Sequence, residues 1–261
     1  MINIQDTLSN NTKIEIKELT PKDLANLLKL QDKIIGNFAE DEQHFILKRT
    51  AEDFLKAINS DHSFVLGMYD VEGKNLISQS ILSLPKDDEE RDIPEYCSHY
   101  KNSDIAVFKA VMVDPDYRGN KIMGRMLKLR EDIAKINKRS IAISQIAADN
   151  PSSWINALRS GMKVTKVGLD PEDDAKVVYL KKALNNDEVV KYNKNDSYNL
   201  DLSGDVHKKA NIVFNKMVNL SNKGYIGLDW DKENHSIKWY KRDLEHENSK
   251  TQKVLCDNFA R

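Results

Sequence analysis

Between Val111 and Ile136 the chain reads as a strand, a tight turn and a helix, and this stretch limits the possible folds more than any other. The strand, Ala106 to Val113, is rich in Val and ends at Asp114-Pro115. Past Tyr117-Arg118-Gly119, the apolar residues Ile122, Met126, Leu129, Ile133 and Ile136 recur at alternating steps of four and three, which is one face of a helix. The first amides of such a helix have no intrahelical acceptor and its N-terminal end is partly positive, so the turn suits an anion. Gly119 and Gly124 let the backbone approach a bulky polyanion, while Arg118 and Lys121 add cations. Phosphate is the expected ligand. The turn is not a P-loop, since no Gly-Lys-Ser/Thr follows, and Gly-x-Gly-x-x-Gly is absent. A plain strand-turn-helix corner with one Gly for its turn fits the short motif equally well.

Around this stretch, residues 1–184 alternate strand-like and helix-like segments, the pattern of a sheet covered by helices. Lys13 to Leu19 alternates as a strand. Thr20, Pro21 and Asp23 then open a helix with Leu24, Leu27, Leu28, Gln31, Ile35 and Phe38 on one face. Thr50 and Asp53 open a second, carrying Phe54, Leu55 and Ile58 inward. Ser63 to Tyr69 and Asn75 to Leu84 form a hairpin around Val71-Glu72-Gly73-Lys74, and the polar, acidic Lys86 to Asn102 is a long loop. Ser140 to Ala147 is a buried strand, Asn150-Pro151 starts a helix bearing Trp154 and Leu158, and Gly161 stops it. Two strands, Lys163 to Leu169 and Lys176 to Leu180, flank the acidic turn Asp170 to Asp174. The fold class is α/β (α+β).

Residues 185–199 are rich in Asn, Lys and Asp, which predicts a linker. Residues 200–261 then form a small module, with a helix over 206–222 and a hairpin from Tyr225 to Trp230 and Ile237 to Tyr240. Helix, Gly-Leu-Asp strand and aromatic strand echo the stretch from Trp154 to Tyr179, with Gly168-Leu169-Asp170 answering Gly227-Leu228-Asp229. Duplication and coincidence explain this single echo about equally. The apolar face of the module's helix must be covered by its own hairpin, by the first domain or by a second copy in a homodimer. The module is expected to govern the acceptor or the oligomeric state.

Composition narrows the function. Forty Lys and Arg against 41 Asp and Glu leave a net charge of −1, so nucleic acid is not an expected partner. No apolar run approaches the roughly 20 residues that cross a bilayer, and the first residues lack a cationic start with an apolar block, which predicts a cytoplasmic protein without membrane contact. Cys97 and Cys256 are too few for a disulfide framework or a paired-Cys zinc site, and no metal site is expected. Cys97-x-His99 is a poor guide to a catalytic pair. Trp230, Trp239 and Tyr240 suit a small core better than an aromatic binding surface.

The order Val111-x-Val113-x-Pro115-x-x-Arg118-Gly119, helix, strand, then Asn150 eleven residues before Gly161 resembles the GNAT superfamily of acetyl-CoA-dependent N-acetyltransferases. The resemblance covers about residues 13–184 and is specific over 106–162. It implies a mixed, mainly antiparallel central sheet flanked by helices, and an N-acetyltransferase that moves an acetyl group from acetyl-CoA, as cosubstrate, to an amine. By that likeness the backbone of Val111 and Val113 would pair with the pantetheine arm. Arg118, Gly119, Asn120, Lys121, Ile122, Met123 and Gly124 would hold the pyrophosphate, and Asn150 would contact the cofactor. Two positions depart from the family pattern: Lys121 stands where a second Gly is usual, and Met123 where Gly or Ala is. Ala157 occupies the place of the usual general acid, a Tyr, so Tyr117 and Tyr179 are the remaining candidates for protonating the thiolate. Acidic runs at Asp87 to Asp92 and Asp170 to Asp174 would favour a cationic acceptor. The alternative implied by the departures is an inactive GNAT-like module that binds CoA or a partner.

Overall fold

The computed structural model describes residues 2–87, 100–171, 173–185, 192–204 and 209–243. They fall into two compact units, Met1–Gln145 and Ile146–Arg261. Cys97, His99, Cys256 and Asp88 to Asp92 lie outside the described residues.

In the first unit the strands are β1 (Asn3–Thr7), β2 (Lys13–Glu18), β3 (Ser63–Asp70), β4 (Asn75–Ser83), β5 (Ile105–Val113) and the start of β6 (Ile141–Ala147). They pair in chain order, antiparallel as far as β5, while β5 and β6 run parallel. Helices α1 (Leu24–Gly36) and α2 (Ala51–Ile58) pack on one core: Leu27, Leu30, Ile34 and Phe54 meet Val65, Tyr69, Ile81 and Met112. Each such side chain contributes about 1.5–3 kcal/mol of burial, which outweighs the weak helix preference of segments this short. Local chemistry sets the helix starts as read from sequence: Asp23 accepts from the Thr20 N–H at 2.9 Å, and Asp53 from the Thr50 N–H at 2.8 Å. Gln31 lies inward and pairs with the Arg49 backbone, donating to its carbonyl and accepting from its N–H at 2.9 Å each.

Helix α3 (Ile122–Ile136) buries Ile122, Met126, Leu127, Arg130, Ile133 and Ala134. This corrects the face expected from sequence: Ile136 is 79% exposed, and Arg130, at 1%, takes an inward place. The cause is a bulge in β5. Ser80 pairs with Val111 and Leu82 with Phe108, so Lys109 and Ala110 share Ile81 as their opposite residue. The Arg130 guanidinium fills the bulge, donating to Lys109 O at 2.6 Å and Ile81 O at 3.3 Å, with the Phe108 ring centroid 4.6 Å away. Burial pushes its pKa down to about 9, so it is still protonated at neutral pH.

In the second unit, α4 (Pro151–Arg159), α5 (Ala210–Asn222) and β7 (Lys163–Leu169), β8 (Lys176–Ala183), β9 (Tyr192–Asp201), β10 (Tyr225–Asp231) and β11 (Ser236–Arg242) form an antiparallel sheet in the order β8-β7-β10-β11-β9 with two helices. Strand β9 occupies most of the segment expected to be a linker. Its alternating side chains are polar, but its backbone completes the ladder on β11 from Asp201 opposite Ser236 to Tyr192 opposite Arg242. The module after it is welded to β7 through β10. Val213, Phe214, Met217 and Leu220 of α5 are buried against β7 and β10, which settles what covers that face. Trp239 is fully buried and Tyr240 nearly so.

Candidate functional site

Among the described residues, strand β5 is paired on both sides only at its start. Ile105, Ala106 and Val107 face Ile141, Ala142 and Ile143 of β6, and the Ser144 hydroxyl then donates to Phe108 O at 3.0 Å. Beyond that point the recorded ladder of β5 is with β4 alone, Val111 opposite Ser80 and Val113 opposite Ser78. The bulge held by Arg130 begins where the strands part. A half-paired strand end of this kind offers backbone N–H and C=O groups to an extended ligand.

The strand delivers the chain to Asp114, which is 4% exposed and fixes the turn. Its carboxylate accepts from the Asp116 N–H at 3.0 Å and from Lys33 of α1, whose Nζ lies 2.7 Å from Asp114 and 2.6 Å from Asp116. These bonds raise the Lys33 pKa. Tyr117 donates its hydroxyl to Asp70 at 2.6 Å, and the Asp70 carboxylate also accepts from the Glu72 and Gly73 N–H groups. The Tyr117 pKa is pushed up to about 12, chiefly by that bond to Asp70, and the Asp70 pKa is lowered, chiefly by the same bond. Lys33, Asp114, Asp116 and Tyr117 line a polar cleft of about 210 Å³ with Asn26 and Lys29 of α1.

After this anchor the loop opens. Gly119 sits at φ +83° and Lys121 at φ +58°, both in the left-handed region. Lys121 is the N-cap of α3 and makes no side-chain cap bond. The first recorded helical bond there runs from the Arg125 N–H to Lys121 O, so the amides of Ile122, Met123 and Gly124 stand at the helix mouth. A Cβ added at Gly119 or Gly124 would meet no atom within 4 Å. Arg118 and Lys121 are exposed, with no carboxylate partner among the described residues. Asn120 and Ile122 act differently. The Asn120 side chain donates to Tyr117 O at 3.1 Å and accepts from the Ser9 hydroxyl at 2.9 Å, and Ile122 is buried. Arg125 pairs with Asp6 and donates to Thr7 O at 3.1 Å. Amides, two cations and open space together make a cradle that fits a polyphosphate.

The left-handed Lys121 keeps the backbone shape that a glycine would adopt there, at a cost of about 1–2 kcal/mol. Lys121→Gly is expected to raise Tm by about 2–4 °C, since relief of about 1 kcal/mol shifts a chain of this size by that much. Removing the exposed charge should also flatten the salt dependence of polyphosphate binding, read by titration with inorganic pyrophosphate at two ionic strengths.

Asn150 and Tyr179 belong to the second unit. Asn150 caps α4, its Oδ1 accepting from the Ser153 N–H at 3.2 Å, and its Nδ2 has no partner among the described residues. Tyr179, on β8, is 1% exposed with Lys166 Nζ 5.8 Å from its ring centroid. Ala157 is buried in α4. Asp87 accepts from the Ser103 N–H and hydroxyl, so this member of the acidic run has a structural use. Lys33, Asp70 and Arg130 carry no motif in the sequence. Arg130 alone left a trace, as a cation beside an apolar helical stripe.

No family model and no curated protein matches the sequence. Solved structures match the fold. The GNAT domain of S. lividans PAT aligns with a TM-score of 0.54 at 13% identity, over 69% of this chain and 96% of that one. Ribosomal-protein-S5-alanine acetyltransferase from Vibrio fischeri aligns with a TM-score of 0.54 at 11% identity, over 72% of this chain and 100% of its own. The structure of yncA from Salmonella typhimurium with its cofactor acetyl-CoA aligns with a TM-score of 0.51 at 13% identity, over 68% of this chain and 98% of that one.

Proposed function

We propose that this chain, which has the GNAT fold, is an N-acetyltransferase that binds acetyl-CoA and passes its acetyl group to an amine. The observation that carries this reading is the uncapped mouth of α3, with its unobstructed Gly124, directly following a strand end paired on one side only. The amides of 122–124 would take the pyrophosphate, with Arg118 and Lys121 adding charge. Val111 and Val113 would pair with the pantetheine arm, and Asn150 Nδ2 would donate to the cofactor. A neutral amine nitrogen attacks the thioester carbonyl, the C–S bond breaks as the amide forms, the nitrogen gives up a proton to solvent, and the thiolate takes one from solvent or a nearby hydroxyl. By the family likeness, the acidic turn Asp170 to Asp174 would favour a cationic acceptor. Release of free thiol from acetyl-CoA across a panel of amines tests the reading. CoA release that no amine stimulates, in a protein that binds acetyl-CoA, would refute it.

That last outcome defines a second reading, a CoA-binding module without turnover, favoured by the buried Ala157 at the usual acid position. Tyr117 is a poor replacement acid, because its proton already serves Asp70. Tyr117→Phe is expected to lower turnover by less than about a hundredfold, under the range of a full general acid. It should also raise the Asp70 pKa. A depressed carboxylate contributes stability above the ordinary aspartate range near 3.9 that is lost as pH falls through its folded value. The variant should therefore unfold at a higher pH on acidification, with Asp70 followed by NMR titration. Tyr179→Phe is expected to stay below the same limit. A larger loss with cofactor binding intact would identify Tyr179 as the acid.

A further inference from the structure

We propose that α4-β7-β8 and the second half of α5 with β10-β11 are two copies of one helix-hairpin, and that the second copy is a resident partner closing the β7 edge in place of another protein chain. The inference rests on geometry within the second unit and is independent of the catalytic reading.

The copies correspond position by position. The shift that carries Gly161 onto Gly224, both at helix ends with φ of +90° and +78°, also carries Val164 onto Gly227 and Lys166 onto Asp229. A slightly shorter shift, the hairpin turns differing in length, carries Leu180 onto Trp239 and Tyr179 onto Lys238. Both hairpins then break register at the same place. Val164 faces Leu180 and Lys166 faces Tyr179, while Gly227 faces Trp239 and Asp229 faces Lys238. One further bond repeats. Lys182 on β8 donates to Ser160 O at 2.6 Å, just before Gly161, and Lys241 on β11 donates to Lys223 O, just before Gly224. Bulges are positional features of a fold, so a shared bulge, helix stop and lysine bond argue for duplication where a generic helix and hairpin would not. The correspondence differs in register from the echo read in sequence, since Gly227 answers Val164 and not Gly168.

The copies meet across a local two-fold axis. β7 pairs antiparallel with β10 at Val164 and Gly227, and these are equivalent positions. Contacts are reciprocal, as in an isologous interface. Val167 of β7 donates its N–H to Ser221 in the last turn of α5, while Trp230, the equivalent of Val167, receives Arg159 from the last turn of α4 with 5.6 Å to its ring. The axis itself is asymmetric. A Cβ at 227 would lie 3.2 Å from Val164 Cβ and 3.3 Å from Ile237 and Trp239, so Gly fits opposite Val without adjustment, and a small side chain there needs a shift of a few tenths of an ångström. Two identical chains would set Val164 against Val164 and lose that fit. The second copy also lacks the site. Val213 answers Asn150, and it is a buried apolar residue in the first turn of α5 where Asn150 is an N-cap. The outer edge of β11 is covered by β9, whose Lys194 and Asp196 blunt the last edge.

The experiment is Val164→Cys with Gly227→Cys in the full chain, Cys97 and Cys256 being replaced by Ser. Paired positions across an antiparallel ladder have the separation a disulfide needs. Oxidised glutathione accepts the two electrons, the two thiols losing their protons as the S–S bond forms. The expected result is an intrachain disulfide and a one-chain mass by light scattering. An interchain disulfide, or none in folded protein, would overturn the proposal. Hydrogen exchange on the unaltered protein reads the same point without substitution: protection of the Val164 and Val167 amides should not change on hundredfold dilution, and loss of protection on dilution would overturn it.

Discussion

The Gly124→Glu protein is expected to fold at least as well as the parent and to bind acetyl-CoA at least about a hundredfold more weakly. Its folding is safe for three reasons. Gly124 lies in the first turn of α3, where a Cβ meets nothing within 4 Å. Glu is a better helix former than Gly by roughly 0.5–1 kcal/mol. A carboxylate near a helix N-terminus is itself stabilising. The same carboxylate places a negative charge where a pyrophosphate would meet the amides of 122–124, and a hundredfold loss corresponds to about 2.8 kcal/mol. Gly124→Ala is the control: it adds a Cβ into open space without charge and should keep most of the affinity. Calorimetric titration on protein shown folded by circular dichroism decides the matter, and undiminished binding by the Glu variant would remove the phosphate-loop assignment.

Arg130→Leu should be the most destabilising single change in the first unit. It removes the donors to Lys109 O and Ile81 O inside the β5 bulge, and each buried carbonyl left unpaired costs about 1–3 kcal/mol. Losing a buried charge offsets part of this, since the cation has no carboxylate partner among the described residues. The net expectation is about 3 kcal/mol, or roughly 6–12 °C in Tm for a protein of this size. Arg130→Lys should recover less than half, because its shorter stem must bring one ammonium to the two carbonyls that Nη1 now serves, and it loses the planar guanidinium over the Phe108 ring. Acetyl-CoA affinity should fall with the loosened strand, and the Asp114 amide, which donates to Ile77 O at 2.8 Å, should exchange faster. A Leu variant as stable as the parent would mean that the bulge holds itself.

Chain truncation after Leu184 bears on the division of labour expected from sequence. With β10 on the β7 edge, and with Trp239 and Ile237 fully buried, removing 185–261 exposes an unpaired strand and part of a core. The truncated chain is expected to aggregate, so it cannot serve to locate the cofactor site.

Several features were legible because they depend on near neighbours in the chain. The Thr20 and Thr50 capping boxes, the Asn150 cap, the β3-β4 hairpin and the strand-turn-helix around Gly119 are each written within a few residues, where hydrogen-bond reach and backbone preference act directly. The apolar face of α3 was read at the right period and slightly the wrong rotation. Leu129 and Arg130 are adjacent, and which one turns inward depends on a bulge in another element. Lys121 looked like a defect in a glycine motif, whereas its backbone keeps the left-handed shape and only its side chain departs.

The sequence by itself determined the order of elements, the helix starts and the anion-ready turn, because those rest on local propensity, capping and spacing. Tertiary structure alone decided the rest. The polar residues 192–199 form a strand because β11 offers a ladder, although their composition reads as linker. The register of the proposed duplication is visible only once β7 lies beside β10, since backbone pairing, a shared bulge and a lysine-to-carbonyl bond place few demands on side-chain identity. Val164 and Gly227 can therefore be equivalent in space while nothing in their letters says so.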